Sequence, residues 1–343
     1  MKNKLMTMIV IVVLAMVNVG CSKTETDKQI SQTEIFMGTP ISITLYDGGN
    51  ERVLDKAFKK IIEIENSVSI NKENTEIVRL NKSAGVDKVQ LNNISYDILK
   101  KGLEYSKISN GSYDITVGPL VKLWSIGLEG AKVPSNDEIN KTISYIDYNN
   151  LEINDSTKEA FLTKEGMEVD LGSIAKGYAA DEIVKILKQE GVNSAIIDLG
   201  GNIYALGKKN SEDNWKIGIQ NPFSNRGEVI GAIDVSDKTV VTTGVYERFI
   251  EKDGVKYHHI LNPKTGYPYE TDIAGVSIIT NKSIDADALS TLVFTKGLED
   301  GLKFVESLDG VDSVFITNDK KVYITQGIKN NFKLMNDEFK IIN

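Results

Sequence analysis

Two carboxylate-bearing segments and a histidine pair hold the residues whose types and spacing suit chemistry. The first runs from Asp170 through Leu171-Gly172-Ser173-Ile174-Ala175-Lys176 to Asp181. A strand ends at Asp170, glycine and serine turn the chain, and a helix begins. Unpaired backbone N–H groups at such a turn can hold phosphate, and Lys176 can reach an oxyanion. The segment is neither a dinucleotide fingerprint nor a phosphate loop ending in Gly-Lys-Ser/Thr, so a capped helix with a surface lysine reads equally well. The second is Asp285-Ala286-Asp287-Ala288-Leu289-Ser290-Thr291. Asp287 and Thr291 are four apart and share one helix face. A carboxylate and a hydroxyl so placed suit a hard divalent cation such as Mg2+, with waters, a carbonyl and substrate phosphate completing the shell. Either aspartate can instead cap the helix, and the roles divide with Asp285 near the cap and Asp287 on the metal. Both histidines of the chain, His258 and His259, stand side by side at a strand end. Strand neighbours point to opposite faces, so the pair does not share one metal; one is structural and the other faces the pocket. Thr242-Thr243-Gly244 can line a ligand or serve as ordinary strand and turn residues.

The elements that must position these groups follow from periodicity. Ile35 to Tyr46 reads as a strand pair about Met37-Gly38, with Ile41, Ile43 and Leu45 alternating with Ser42 and Thr44. Helices are expected over Glu51 to Asn66, Asn92 to Ser109, Pro134 to Ile146 (Ser135 as cap, Glu138 three residues on), Ile174 to Glu190 and Ala286 to Thr295. Strands are expected at Ala160 to Leu162, Met167 to Asp170, Ala195 to Leu199, Trp215 to Gln220, Val229 to Val235, Val240 to Thr243, Tyr246 to Glu251, Val255 to Leu261 and Ile273 to Ile279. A hairpin over Val314 to Thr317 and Lys321 to Thr325 ends the chain. No repeat or internal linker interrupts residues 34–343, which read as one α+β unit.

Composition narrows the function. The chain has 343 residues, 41% hydrophobic and 26% charged, the balance of a globular protein with a substantial core. A formal charge of -8 argues against general nucleic-acid binding. One cysteine and two histidines exclude an intrachain disulfide and a zinc site built on several Cys and His ligands. The N-terminus carries Lys2 and Lys4, an apolar run from Leu5 to Val17, then Gly20-Cys21 and a polar stretch. The run is short for a membrane span and suits a signal peptide. Val17-Asn18-Val19-Gly20-Cys21 resembles a bacterial lipobox, with Asn18 and Val19 imperfect matches; an uncleaved anchor is the alternative. Residues 1–20 are then a lipoprotein signal peptide, 21–33 a tether lipidated at Cys21, and 34–343 the catalytic unit. The expected location is the cell membrane, lipid-anchored on its extracytoplasmic face.

Eight segments together resemble the bacterial FAD:protein FMN transferases, the ApbE flavin transferase family. In order they are Met37-Gly38-Thr39, Tyr113-Asp114 through Trp124, Asp170 to Asp181, Gly200-Gly201-Asn202, Gly218 to Pro222, Thr243 to Phe249, His259 to Gly266, and Asp287 to Thr291. The resemblance runs from about Phe36 to the C-terminus and implies a mixed fold of antiparallel strands and packed helices. It implies Mg2+-dependent transfer of FMN from FAD to a threonine or serine of an exported or membrane flavoprotein, with release of AMP. By the same resemblance Asp287, Thr291 and the Ser173 carbonyl hold the metal, and Asp170 and Lys176 contact FAD. Met37, Tyr113, Asp114 and His259-Ile260-Leu261 line the cleft. Lys176 and Mg2+ stabilise charge on the leaving AMP; His259 is the proposed general base, with Asp287 competing. Thr243, Asn262 and Ser173 depart from the usual serine, aspartate and small residue. Asn71 stands about where many members carry an aromatic near the flavin. A small polar residue there leaves room for water, so an FAD pyrophosphatase giving FMN and AMP is the alternative enzyme. A non-catalytic FAD-binding lipoprotein would not need the Asp287–Thr291 pair.

Overall fold

The alternation of Ile41, Ile43 and Leu45 with polar residues is realised in the strand Thr39–Leu45, whose aliphatic side chains are all buried. It pairs antiparallel with Ile30–Phe36 across a turn in which Met37 and Gly38 both take positive φ, 51° and 72°. The computed structural model describes residues 29–210 and 212–343, so the expected signal peptide, Cys21 and most of the expected tether lie outside the described residues. The first strand nevertheless begins inside the stretch read as tether. Hydroxyl pairs Ser31–Thr44 (2.9 Å) and Thr33–Ser42 (2.7 Å) tie that stretch to its neighbour, which is why it is sheet.

The hairpin forms one edge of a nine-stranded sheet. Its strands run in the order Ile30–Phe36, Thr39–Leu45, Ala195–Leu199, Asn202–Leu206, Lys238–Gly244, Ile273–Thr280, Asp312–Thr317, Lys321–Ile324 and Lys340–Ile341. Among the described residues every neighbour pair is antiparallel except the last. On one face the sheet shares a core with the helices Glu51–Val68, Ala175–Gln189 and Ser283–Glu306. On the other it packs against a three-stranded sheet, Phe332–Leu334, Val229–Val235 and Trp215–Gln220. Ile273–Thr280 lies between both layers and is buried along its whole length, in keeping with a mostly apolar run whose one internal hydroxyl, Ser277, is bonded to Thr242. The expected α+β class is what is found.

Several boundaries differ for physical reasons. Met167 to Asp170 joins no ladder beyond a single bridge between Val117 and Glu168. Its backbone groups are satisfied elsewhere. Asn81 receives Val169 N–H at 2.8 Å and donates to Val169 O at 3.0 Å, and Asp170 N–H goes to Ile115 O at 2.8 Å. Asn81 belongs to a short helix, Glu76–Lys82, which the periodicity does not reveal and which Thr75 caps. The last helix spans Ser283–Glu306, longer than expected, because its second half continues past a break at Gly297, where φ is 73°. Strands at Phe249–Lys252 and Val255–His258 form a separate hairpin, shorter than expected at both outer ends. Its root rests on a small satellite cluster of Leu120, Trp124, Ile139 and Leu261.

Candidate functional site

Two helix N-termini meet at the site, and each is capped by a carboxylate from the other helix. Ala175–Gln189 begins at Ile174 without a side-chain cap of its own. Asp287 supplies one, with Oδ2 accepting Gly177 N–H at 2.8 Å. In return Asp181 accepts Ser283 N–H at 2.8 Å and Ile284 N–H at 3.0 Å, capping Ser283–Glu306. The helices approach so closely that a Cβ on Gly177 would stand 2.2 Å from Ser283 O. Asp285 is therefore not the cap. It accepts Tyr105 Oη–H at 2.8 Å and pairs with Lys101 at 3.0 Å, tying in the helix Asn93–Ile108. Burial raises the Asp181 pKa to about 6, against the pull of its two backbone N–H groups.

This exchange gathers oxygen atoms at one point. Gly177 N–H, four residues beyond Ser173, is drawn to Asp287, and no backbone N–H among the described residues takes the Ser173 carbonyl. The Ser173 hydroxyl donates to Tyr113 Oη at 2.9 Å. Asp287 is 6% exposed, and besides Gly177 N–H its carboxylate is approached by the Asn202 side chain and Lys176 N–H. Burial pushes its pKa up, and the Lys176 charge and Gly177 N–H pull it down. Beside it the buried Asn202 gives Oδ1 to Ser283 Oγ–H at 2.7 Å, while its Nδ2 finds no hydrogen-bond partner of ordinary geometry. A half-buried Thr291 lies one helical turn from Asp287. One desolvated carboxylate oxygen, one carbonyl and one hydroxyl make a hard-oxygen donor set that fits Mg2+. Among the described residues no cluster of three His, Cys, Asp or Glu groups offers a softer or more crowded site.

Lys176 forms no ion pair among the described residues, and its charge acts on both Asp287 and His259. The two histidines divide as strand geometry requires. His258 is buried, with Nε2 on Tyr269 O at 2.9 Å and its ring edge-on to Phe294. His259 sits at the hairpin root, with Nδ1 3.3 Å from Arg248 O. That contact suits an Nδ1–H donor and leaves Nε2 unprotonated. Burial lowers its pKa to about 4 despite the carbonyl contact, and the charges of Arg248, His258 and Lys176 add to the fall. Asp170 accepts Gly172 N–H at 2.7 Å. Burial raises its pKa, which Gly172 N–H and then the Arg248 charge oppose.

Other expected residues act through position. Tyr113 is buried and its phenol is driven well above the ordinary range by burial, with Asp287, Asp170 and Asp114 adding to the rise and the Ser173 bond opposing it. Asp114 uses both oxygens on the backbone and side chain of Thr116 (2.8 and 2.7 Å) and on Tyr148 N–H (3.0 Å). Its carboxylate anchors the Tyr113 segment rather than presenting itself to a ligand. Ile260 and Leu261 are buried beside His259, and Leu261 joins the satellite cluster. Met37 N–H donates to Glu65 at 2.7 Å, and Lys72 pairs with the same carboxylate at 2.5 Å. That link brings the exposed Asn71 loop beside the Met37 turn. Thr242 and Thr243 are ordinary strand residues, bonded to Ser277 (2.7 Å) and Ser290 (2.8 Å). Sequence reading missed Asp181 as the cap, Asn202 beside Asp287, and Arg248. All three stand inside segments that carry the family resemblance, and Arg248 is one of only four arginines.

The ApbE family model matches residues 37–315, a span that includes every residue of this cluster. A relative from Treponema pallidum (strain Nichols), named FAD:protein FMN transferase, is 34% identical over 329 residues, covering 91% of each chain. Another of that name, from Klebsiella pneumoniae (strain 342), is 31% identical over 312 residues, covering 91% of this chain and 96% of the relative. The crystal structure of the ApbE protein from Thermotoga maritima superimposes with a TM-score of 0.80 at 28% identity, over 88% of this chain and 98% of that one. On the matched span, the shared fold and the near-complete coverage of its relatives, this chain belongs to the ApbE family.

Proposed function

We propose that this protein is a FAD:protein FMN transferase whose reaction centre is the junction of Asp287, Ser173, Lys176 and His259. The observation that carries the reading is the exchange of helix caps. It brings a buried carboxylate and a carbonyl that no backbone N–H takes next to a lysine with no ion pair among the described residues and a neutral imidazole. Asp287, Thr291 and the Ser173 carbonyl would hold Mg2+, which when bound supplies charge neutralisation for a diphosphate. The unprotonated nitrogen of His259 accepts the proton of an acceptor threonine or serine hydroxyl. That oxygen bonds to the phosphorus of the FMN half, and the phosphorus–oxygen bond to AMP breaks. Lys176 stabilises the charge that grows on the departing AMP. Asp170, Tyr113 and Met37 border the cleft. The test is incubation with FAD, Mg2+ and an acceptor flavoprotein domain, with protein-bound flavin read by mass and AMP by chromatography. Neither product after complete mixing would remove the assignment.

The exposed Asn71 favours a second reaction at the same centre, hydrolysis of FAD to FMN and AMP. Its loop borders the Met37 turn with no bulky side chain at that position. Filling the volume excludes water. Asn71→Tyr is expected to lower free FMN severalfold while sparing acceptor-bound FMN. An unchanged ratio of the two products removes Asn71 from the mechanism.

Attachment to a membrane through Cys21 belongs to the same reading, since an exported transferase would meet flavoproteins exposed outside the cytosol. Among the described residues no helix is long and apolar enough to cross a membrane, and Cys21 lies outside them. Cys21→Ser is expected to move the protein from the membrane to the soluble fraction or to block its processing. Unchanged size and partition would reject the lipid anchor.

A further inference from the structure

Of the four arginines, Arg52 pairs with Glu190 and Arg79 with Glu76 on the surface. Arg226 and Arg248 have no carboxylate partner within ion-pair distance among the described residues, and of these two it is Arg248 whose charge acts on Asp170 and His259. The Arg248 side chain runs past two glycine turns. A Cβ built on Gly127 would stand 2.9 Å from Arg248 Cδ, and one on Gly38 would stand 3.4 Å from Nη2. Both glycines have positive φ, 81° and 72°, so these turns are suited to leaving the passage clear. The Arg248 carbonyl meets both His259 N–H, at 3.1 Å, and the His259 ring. One residue thus orients the imidazole with its backbone and carries a free positive charge past it with its side chain. Lys176, from a different element, brings a second charge to bear on the same ring. Two cations converge on a neutral base, and although their charges reach Asp170 and Asp287, neither forms an ion pair among the described residues; a guanidinium fork matches phosphate oxygens in pairs.

We infer that Arg248 is a substrate-binding residue that holds a phosphate of the flavin dinucleotide on the side of the cleft bounded by the Gly38 and Gly127 turns. The inference rests on the flavin-transfer reading, and the two can fail separately. Binding of FAD, FMN and riboflavin is measured by equilibrium dialysis in the cold, with FAD integrity checked by chromatography. Riboflavin has the ring system and no phosphate. Arg248→Gln is expected to weaken FAD and FMN by roughly tenfold to a hundredfold and to leave riboflavin within about twofold. Arg248→Lys should fall between, since it keeps the charge and loses the fork; it also carries the test if the glutamine variant misfolds. Arg52→Gln, which removes the same charge from an exposed ion pair, should match the wild type. Equal losses for FAD and riboflavin would make Arg248 structural, and undiminished FAD binding would overturn the inference outright. Failure of the wild type to bind FAD at all would instead sink the flavin reading on which it stands.

Discussion

Asp287→Asn is expected to fold normally and to lose flavin transfer by roughly a hundredfold to a thousandfold, the size of several kcal/mol of lost charge stabilisation. The substitution keeps an oxygen to accept Gly177 N–H, so the cap on Ala175–Gln189 survives. What it removes is the negative charge. Because burial makes that charge costly, as the raised pKa shows, the melting temperature should hold or rise slightly. Asp287→Ala differs in kind. It also strands Gly177 N–H in the interior, which costs about 1–3 kcal/mol of stability. Single-turnover transfer and thermal melting of both variants separate the two contributions. Near-normal transfer by Asp287→Asn would remove the carboxylate from the chemistry and leave it as a cap.

His259→Ala is expected to slow transfer by about a hundredfold to ten-thousandfold, the usual worth of a positioned base. The pH profile supplies a sharper sign. Burial and neighbouring cations lower the His259 pKa to about 4. At pH 6 the ring is then almost wholly neutral, whereas an ordinary histidine near pKa 6.5 would be only about a quarter neutral. The acid limb of kcat/KM should accordingly lie well below pH 6. The limb assigned to His259 should vanish in His259→Ala. A limb centred near 6.5, or one unchanged in the variant, would place the base elsewhere. The stability consequence has the same direction. The folded state resists protonating this ring, so His259 imposes no penalty above about pH 6.5, and stability falls as pH drops from there toward 4.

Both expectations rest on residues whose chemistry was readable before any coordinates. Asp287 and Thr291 announce a shared helix face by spacing alone. Ser135 and Glu138 announce a capping box, and both halves of it form. Residues 30–33 were less legible, because polar alternation at a sheet edge resembles a solvated tether. The helix Glu76–Lys82 is too short for its period to emerge, and Asn81 acts as a surrogate strand partner for Val169 that no backbone pattern encodes.

The sequence by itself determined the interactions that close within a few residues: helix faces, caps, the hairpin turn at Met37-Gly38, and the alternation that assigns one histidine of two to each side. Periodicity alone did not tell which histidine meets the cleft, because both rings satisfy the same period; the choice of His259 came from the family resemblance. The tertiary structure sets the two apart, burying His258 on Phe294 and placing His259 against Arg248 O. It also decided the feature on which the proposed reaction centre turns. Asp287 meets Gly177 across 110 residues of chain, and Asp181 meets Ser283 across 102. A carboxylate's local sequence shows that it can cap a helix. Which helix N-terminus it caps, and which oxygen atoms gather there, depends on how closely two helices pack, and only the folded chain brings those N–H groups and carboxylates together.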